Sequence, residues 1–92
     1  MKHATIGTNG EAIATDTEQS QRVSITKILL LVNDDTTNKL YINFNADTST
    51  SNCICLAPNE SFKNLDYPVD TVYFKSSSSS TNFRFIGVNE NK

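Results

Sequence analysis

The sequence predicts an all-β fold, an antiparallel β-sandwich that is jelly-roll-like or otherwise Greek-key, with about seven or eight strands. Three observations lead there. Short β-favouring runs recur at strand length between Ile25 and Val88. They are separated by Asn, Ser, Thr, Asp and Pro, the residues that make turns. Asn, Ser and Thr also supply roughly a third of the chain, and their side chains compete with helical backbone hydrogen bonds.

The runs are Lys27–Val32, Leu40–Phe44, Asn52–Leu56, Thr71–Lys75 and Phe83–Val88. Arg22-Val23-Ser24-Ile25 alternates, and Ile28 to Val32 is then apolar throughout. Unbroken apolarity implies a strand covered on both faces, by core on both sides or by core and a partner. Apolar spacing alone would also fit a helical turn over 24–32. Its β-branched content and the Asn33-Asp34-Asp35 stop favour a strand. Leu40, Ile42 and Phe44 share one face, and Tyr41 and Asn43 the other, which is the clearest period of two in the chain.

Between these runs lie the turns. Asn33 to Asn38 can bond its own backbone through Asx and Thr side chains, and Asn45 to Ser51 is a polar loop. Ala57-Pro58-Asn59-Glu60-Ser61 is the strongest turn, because Pro58 presets φ and Asn59 tolerates a left-handed backbone. Phe62 and Leu65 read as anchors pinning the loop that follows to the core. Pro68 places Asp66-Tyr67-Pro68 at a strand start or sheet edge. The serine tract Ser76 to Ser80 reads as a flexible hairpin loop, and 89–92 as a fraying tail.

Residues 1–21 differ: they are polar, with Ile6 and Ile13 the sizeable apolar residues after Met1. They read either as an extended arm or as an edge hairpin, with strands at Ala4–Gly7 and Glu11–Thr15 joined at Thr8-Asn9-Gly10. Asn-Gly suits the positive φ of a type I′ turn. The expected division is therefore an arm or hairpin over 1–21 and a sandwich domain over 22–92. At 92 residues there is room for one domain, of modest stability unless neighbours cover more surface.

Charge excludes some functions. A net charge of −2 with no basic run gives no cationic stripe for nucleic acid. The N-terminus lacks the apolar stretch of a secretory signal, and Ile28–Val32 is too short to span a bilayer. The expectation is a soluble protein made in a cytosol, with no nucleic-acid or membrane partner.

Chemistry-bearing residues are sparse. Cys53 and Cys55 share a strand face, a placement poor for a disulfide, and read as small buried hydrophobes. With His3 the single histidine and far away in sequence, neither a four-ligand zinc site nor a Cys/His or Ser/His nucleophile pair is expected. Asp34, Asp35, Asp66 and Asp70 suit calcium chemically but lack loop spacing, and read as turn residues. Glu60 has no partner carboxylate at glycosidase spacing, and no glycine-rich phosphate loop exists. No cofactor, metal or catalytic residue is expected. Most aromatics read as core. Tyr41, Tyr67 and Tyr73 are the alternative, an amphipathic platform for a sugar or protein.

Taken in order, Leu31-Val32-Asn33-Asp34, the strand Leu40 to Phe44 and Cys-Leu-x-Pro-x-Glu-Ser-Phe over Cys55 to Phe62 form a pattern. Val-Tyr-Phe-Lys-Ser (Val72 to Ser76) and Phe-Arg-Phe-Ile-x-Val (Phe83 to Val88) complete it. This resembles the small all-β structural proteins of tailed bacteriophages: capsid decoration proteins, head–tail joining components and bases of head or tail fibres. Pro-Asn-Glu stands here where the usual turn is Pro-Gly-Glu. The resemblance implies a non-enzymatic virion part, made in the host cytoplasm, whose partners are capsid, tail or portal components and copies of itself.

The expected function is thus to bind a repeating protein surface, weak single contacts being offset by multivalency. The residues expected to touch neighbours are Thr5, Ile6 and Ile13 in the arm, with Tyr41 and Tyr67 on the domain. The alternatives are a ligand- or carbohydrate-binding sandwich using exposed tyrosines, a small enzyme depending on His3 or Glu60, and a toxin or inhibitor of a host enzyme.

Overall fold

The computed structural model describes residues 2–8, 10–50 and 53–91. Nine strands account for most of them: β1 (Lys2–Thr5), β2 (Glu11–Thr15), β3 (Gln19–Ile25), β4 (Lys27–Asn33), β5 (Leu40–Phe44), β6 (Ile54–Leu56), β7 (Ser61–Leu65), β8 (Val69–Ser76) and β9 (Ser80–Asn89). No helix occurs among the described residues. The strands form two antiparallel sheets in a sandwich-like arrangement. One has five strands, in the order β1-β9-β4-β7 with β2 also on β9; the other has four, in the order β3-β8-β5-β6.

Between the sheets lies one core. Ile28, Leu31, Phe83 and Phe85 enter from the five-stranded side, and Leu40, Ile42, Phe44, Val72 and Phe74 from the other. Phe74 and Phe83 meet across it with ring centroids 5.1 Å apart. Gly87 is what the close approach at one end requires. A Cβ there would press on Ile25 Cδ1, so the side chain of Ile25 occupies the space a larger residue would need.

β3 and β4 are nearly continuous, separated by Thr26 alone. Ser24, at φ 49°, and a register shift between Arg22 and Ile25 turn the chain from one sheet into the other. The unbroken apolar run in β4 has a related cause. An irregularity against β9 between Ile28 and Leu30 lets Ile28 and Leu31, three residues apart, both enter the core. Leu30 and Val32 then fall on the outer face, beside Ile86 and Arg84.

Several local expectations change. Residues 61–65 form an edge strand rather than a loop, and Phe62, expected as an anchor, is 39% exposed, while Leu65 does pack against the core. An edge strand has one open side, so its inward residue is only half covered. The serine tract is not a hairpin loop, because β8 and β9 lie in opposite sheets and 77–79 arches between them. Its first serine is buried: Ser76 Oγ and Thr81 Oγ1 are 2.6 Å apart, and Thr81 donates to the Lys39 carbonyl.

The N-terminal residues pair in a way not foreseen. β1 and β2 are not the two arms of a hairpin. Both run antiparallel to β9, one after the other, from Lys2 opposite Asn89 to Thr15 opposite Ser80. They form one interrupted edge strand, and residues 6–8 and 10 bulge from it. Thr8 and Glu11, which flank the Asn-Gly pair, exchange both backbone hydrogen bonds. Asn9 itself lies outside the described residues, as do Ser51 and Asn52 of the predicted loop and strand. Gly7 holds the bulge: its φ is 76°, and a Cβ would press on the Glu11 backbone. The effect is to tuck Ile6 inward, leaving it 2% exposed.

Candidate functional surfaces

Three surface regions hold the residues singled out by the sequence. The first is the outer face of the five-stranded sheet. Phe83 and Phe85 lie in the core and Gly87 abuts Ile25, so alternation puts Arg84, Ile86 and Val88 outside. Cross-strand register extends this into rows: Thr5–Ile86–Leu30–Lys63 and Glu11–Arg84–Val32–Ser61. Val32 and Val88 are buried, at 9% and 1%, yet belong to no part of the inter-sheet core. Leu30 and Ile86 between them are half-buried. The result is a second apolar layer, with polar rims at Lys63 and at the Arg84–Asp34 pair. Arg84 Nε and Nη2 donate to Asp34 at 2.7 and 3.0 Å, and this carboxylate raises the guanidinium pKa further.

The second region is the outer face of the four-stranded sheet, which carries Tyr41 and Asn43 on β5, Tyr73 and Lys75 on β8, and Cys55 on β6. Tyr41 lies opposite Cys55 and Lys75, and Tyr73 opposite Asn43, so the two tyrosines are diagonal neighbours. Tyr67 is elsewhere: it precedes β8 and leans on Phe44, ring centroids 5.6 Å apart. The three tyrosines therefore do not make one platform. Asn43 faces outward but is only 5% exposed. Its Nδ2 donates to the Asp47 carbonyl and the Thr50 hydroxyl, which folds the following loop back over this face. The cysteines are not buried hydrophobes. Cys55 is exposed and Cys53 half-buried, because β6 is an edge strand whose outer face meets solvent. Partial burial raises the Cys53 thiol pKa, against the lowering effect of its hydrogen bond to the Ile42 carbonyl.

The third region is the edge formed by β1 and β2. Thr5 is exposed, and its carbonyl accepts from Gln21 Nε2 at 2.9 Å. Ile13, at 59%, is the most exposed large apolar residue described. Ile6 faces the core, so its side chain is withheld from any neighbour. An open groove of about 640 Å³ runs beside Ile13 over Glu11, Asn82 and Arg84.

The carboxylates considered for calcium are each otherwise engaged. Asp34 pairs with Arg84, Asp66 with Lys27 and Asp70 with Arg22. Asp35 accepts from the backbone N–H groups of Asn38 and Thr37, which lower its pKa. Glu60 Oε1 accepts from the Ala57 N–H and closes its own turn, with Asn59 left-handed at φ 67°. Among the described residues, no three His, Cys, Asp or Glu side chains gather. His3 pairs in register with Val88, at the far side of the molecule from β6. Comparison with known protein families, characterised proteins and solved structures finds no match.

Sequence reasoning assigned a second covered face to Ile28–Val32 but did not join it to Ile86 and Val88 in one outer stripe with Leu30 and Val32. The signal was present in the unbroken run 28–32 and in Ile86 and Val88 alternating with Phe83 and Phe85. Recognising it required knowing that β4 and β9 are central neighbours.

Proposed function

We propose that this chain is a jelly-roll structural protein of a tailed-phage virion, a capsid decoration or head/tail accessory part that docks on a repeating protein surface. The jelly-roll reading is supported by nested pairing: β2 with β9, β3 with β8, β4 with β7 and β5 with β6. From β2 to β9, every connection except β5–β6 passes between sheets. This is what a long antiparallel ribbon makes when it wraps on itself.

The observation that carries the docking role is the second apolar layer. A central strand pair apolar on both faces gains from a cover on the outer one as well. Leu30, Val32 and Ile86, with Thr5 and Lys63 at the ends of their row, are then the contact, and capsid, tail or portal proteins its partners. The protein is made in the host cytoplasm and ends in the virion. It acts without a catalytic group or cofactor.

Mass spectrometry of density-banded particles from the strain that encodes the chain tests this reading. It expects the protein in fixed ratio to the major head or tail protein. Recovery only in the soluble lysate would refute it. A sugar-binding role has one observation in its favour, the diagonal pair Tyr41 and Tyr73. It expects glycan binding lost in Tyr41→Ala.

A further inference from the structure

We propose that copies of this chain join head to tail along the β1–β2 edge, Ile13 of one copy entering a pit at the opposite end of that edge on the next. This contact does not depend on the virion assignment.

The free side of β2 is closed to strand addition. The N–H and C=O of Glu11 are taken by Thr8, and the N–H of Thr15 donates to Gln19 Oε1 at 3.2 Å. An incoming strand needs a run of open backbone groups, and β2 is blocked at both ends. Between those blocks stands Ile13. Its side chain is 59% exposed, and Glu11, two residues earlier, projects from the same face. What this edge offers a partner is an apolar knob beside a carboxylate.

The matching feature lies where β1 begins. Lys2, His3, Ala4, Val23, Ser24 and Asn89 line a pit of about 120 Å³. That is too small for an ordinary ligand site, which runs to about 300 Å³ or more, and is the scale of one side chain. Ala4 and Val23 are the apolar part of its lining, and Lys2 adds a cation to it. An isoleucine side chain matches the pit in size, and Glu11 beside the knob is opposite in sign to Lys2 in the pit lining.

They cannot meet within one molecule. Ile13 pairs with Asn82 and His3 with Val88, six residues apart on β9 and so about 20 Å apart. Two different patches meeting make a heterologous contact, which repeats into a ring or a filament. The occupant of the pit is therefore a second copy.

Complementary blocked variants test this. Ile13→Asp keeps the pit and loses the knob; Ala4→Trp keeps the knob and fills the pit. Mass photometry and sedimentation of the full chain should show concentration-dependent oligomers for the wild type. Each variant alone should associate at least about tenfold more weakly, while an equimolar mixture gives a 1:1 pair and nothing larger. Lys2→Glu serves as a second blocked pit should Ala4→Trp not give a native circular dichroism spectrum, and Lys2→Glu with Glu11→Lys in one chain should restore association. A wild type that stays monomeric at high concentration, variants that oligomerise as it does, or a mixture that forms no pair would each overturn the proposal.

Discussion

The two sheets turn unlike faces to the outside. The four-stranded sheet presents tyrosines, a lysine and two thiols, and its own 45–50 loop, tied down by Asn43, covers part of it. The five-stranded sheet carries Leu30 and Ile86, both half-buried, beside Val32 and Val88, which are already buried. A face closed by its own chain has little to gain from a partner. A face that keeps a second apolar layer does, because burying aliphatic side chains is favourable whether the cover is internal or foreign. That difference is the support for the proposal that the five-stranded sheet is the face that meets a partner.

Adjacent leucines make the sharpest break of that comparison. Leu31→Ala removes a fully buried core residue and should cost about 3 kcal/mol in denaturant unfolding. Leu30→Ala, one residue away on the outer face, should cost under about 1 kcal/mol yet weaken attachment to particles. Equal losses of stability would mean that the outer face is simply more core.

Asn33 probes how the loops at one end are held. It is buried, its Nδ2 donates to the carbonyls of Asn38 and Leu56, and its Oδ1 accepts from the Asp35 N–H. Asn33→Ala leaves those groups unpaired in a buried site and should cost about 2 kcal/mol by the same measurement. A smaller effect is expected at Asn43. Asn43→Ala should release the 45–50 loop at a cost of about 1 kcal/mol and speed thiol labelling at Cys53. In the unaltered protein near pH 8, Cys55 should label faster than Cys53. The folded pKa of Cys53 is raised by burial, so its thiolate fraction is reached only at higher pH. Equal labelling rates before and after the substitution would mean that the loop does not close this face.

Much of the architecture was legible in the residues. β5 falls where Leu40–Phe44 alternates, and Pro58-Asn59 makes the turn its φ preferences dictate. What sequence could not supply was partnership. β7 carries Ser, Lys and Asn because an edge strand is mostly solvated, and it reads as a loop until β4 is seen beside it. The N-terminal residues read equally as an arm or as an edge hairpin, and the strand at Glu11–Thr15 is where the hairpin reading put it. Only the length of β9, over Ser80–Asn89, explains why β1 and β2 both pair with it and not with each other. The surface residues divide the same way. Ile13 is exposed as expected, whereas the positive φ of Gly7 and Gly10 lets the bulge carry Ile6 into the core. Cys55 faces water because its neighbours Ile54 and Leu56 take the core side of β6, and its exposure is completed by the edge position of that strand.

Hydroxyl-radical footprinting of the protein, free and within purified assemblies, tests most directly that the five-stranded sheet is the face partners cover. Leu30 and Ile86 should lose labelling on assembly while Tyr41 and Cys55 keep theirs. Protection of Tyr41 and Cys55, with Leu30 and Ile86 labelled as in the free protein, would contradict the account.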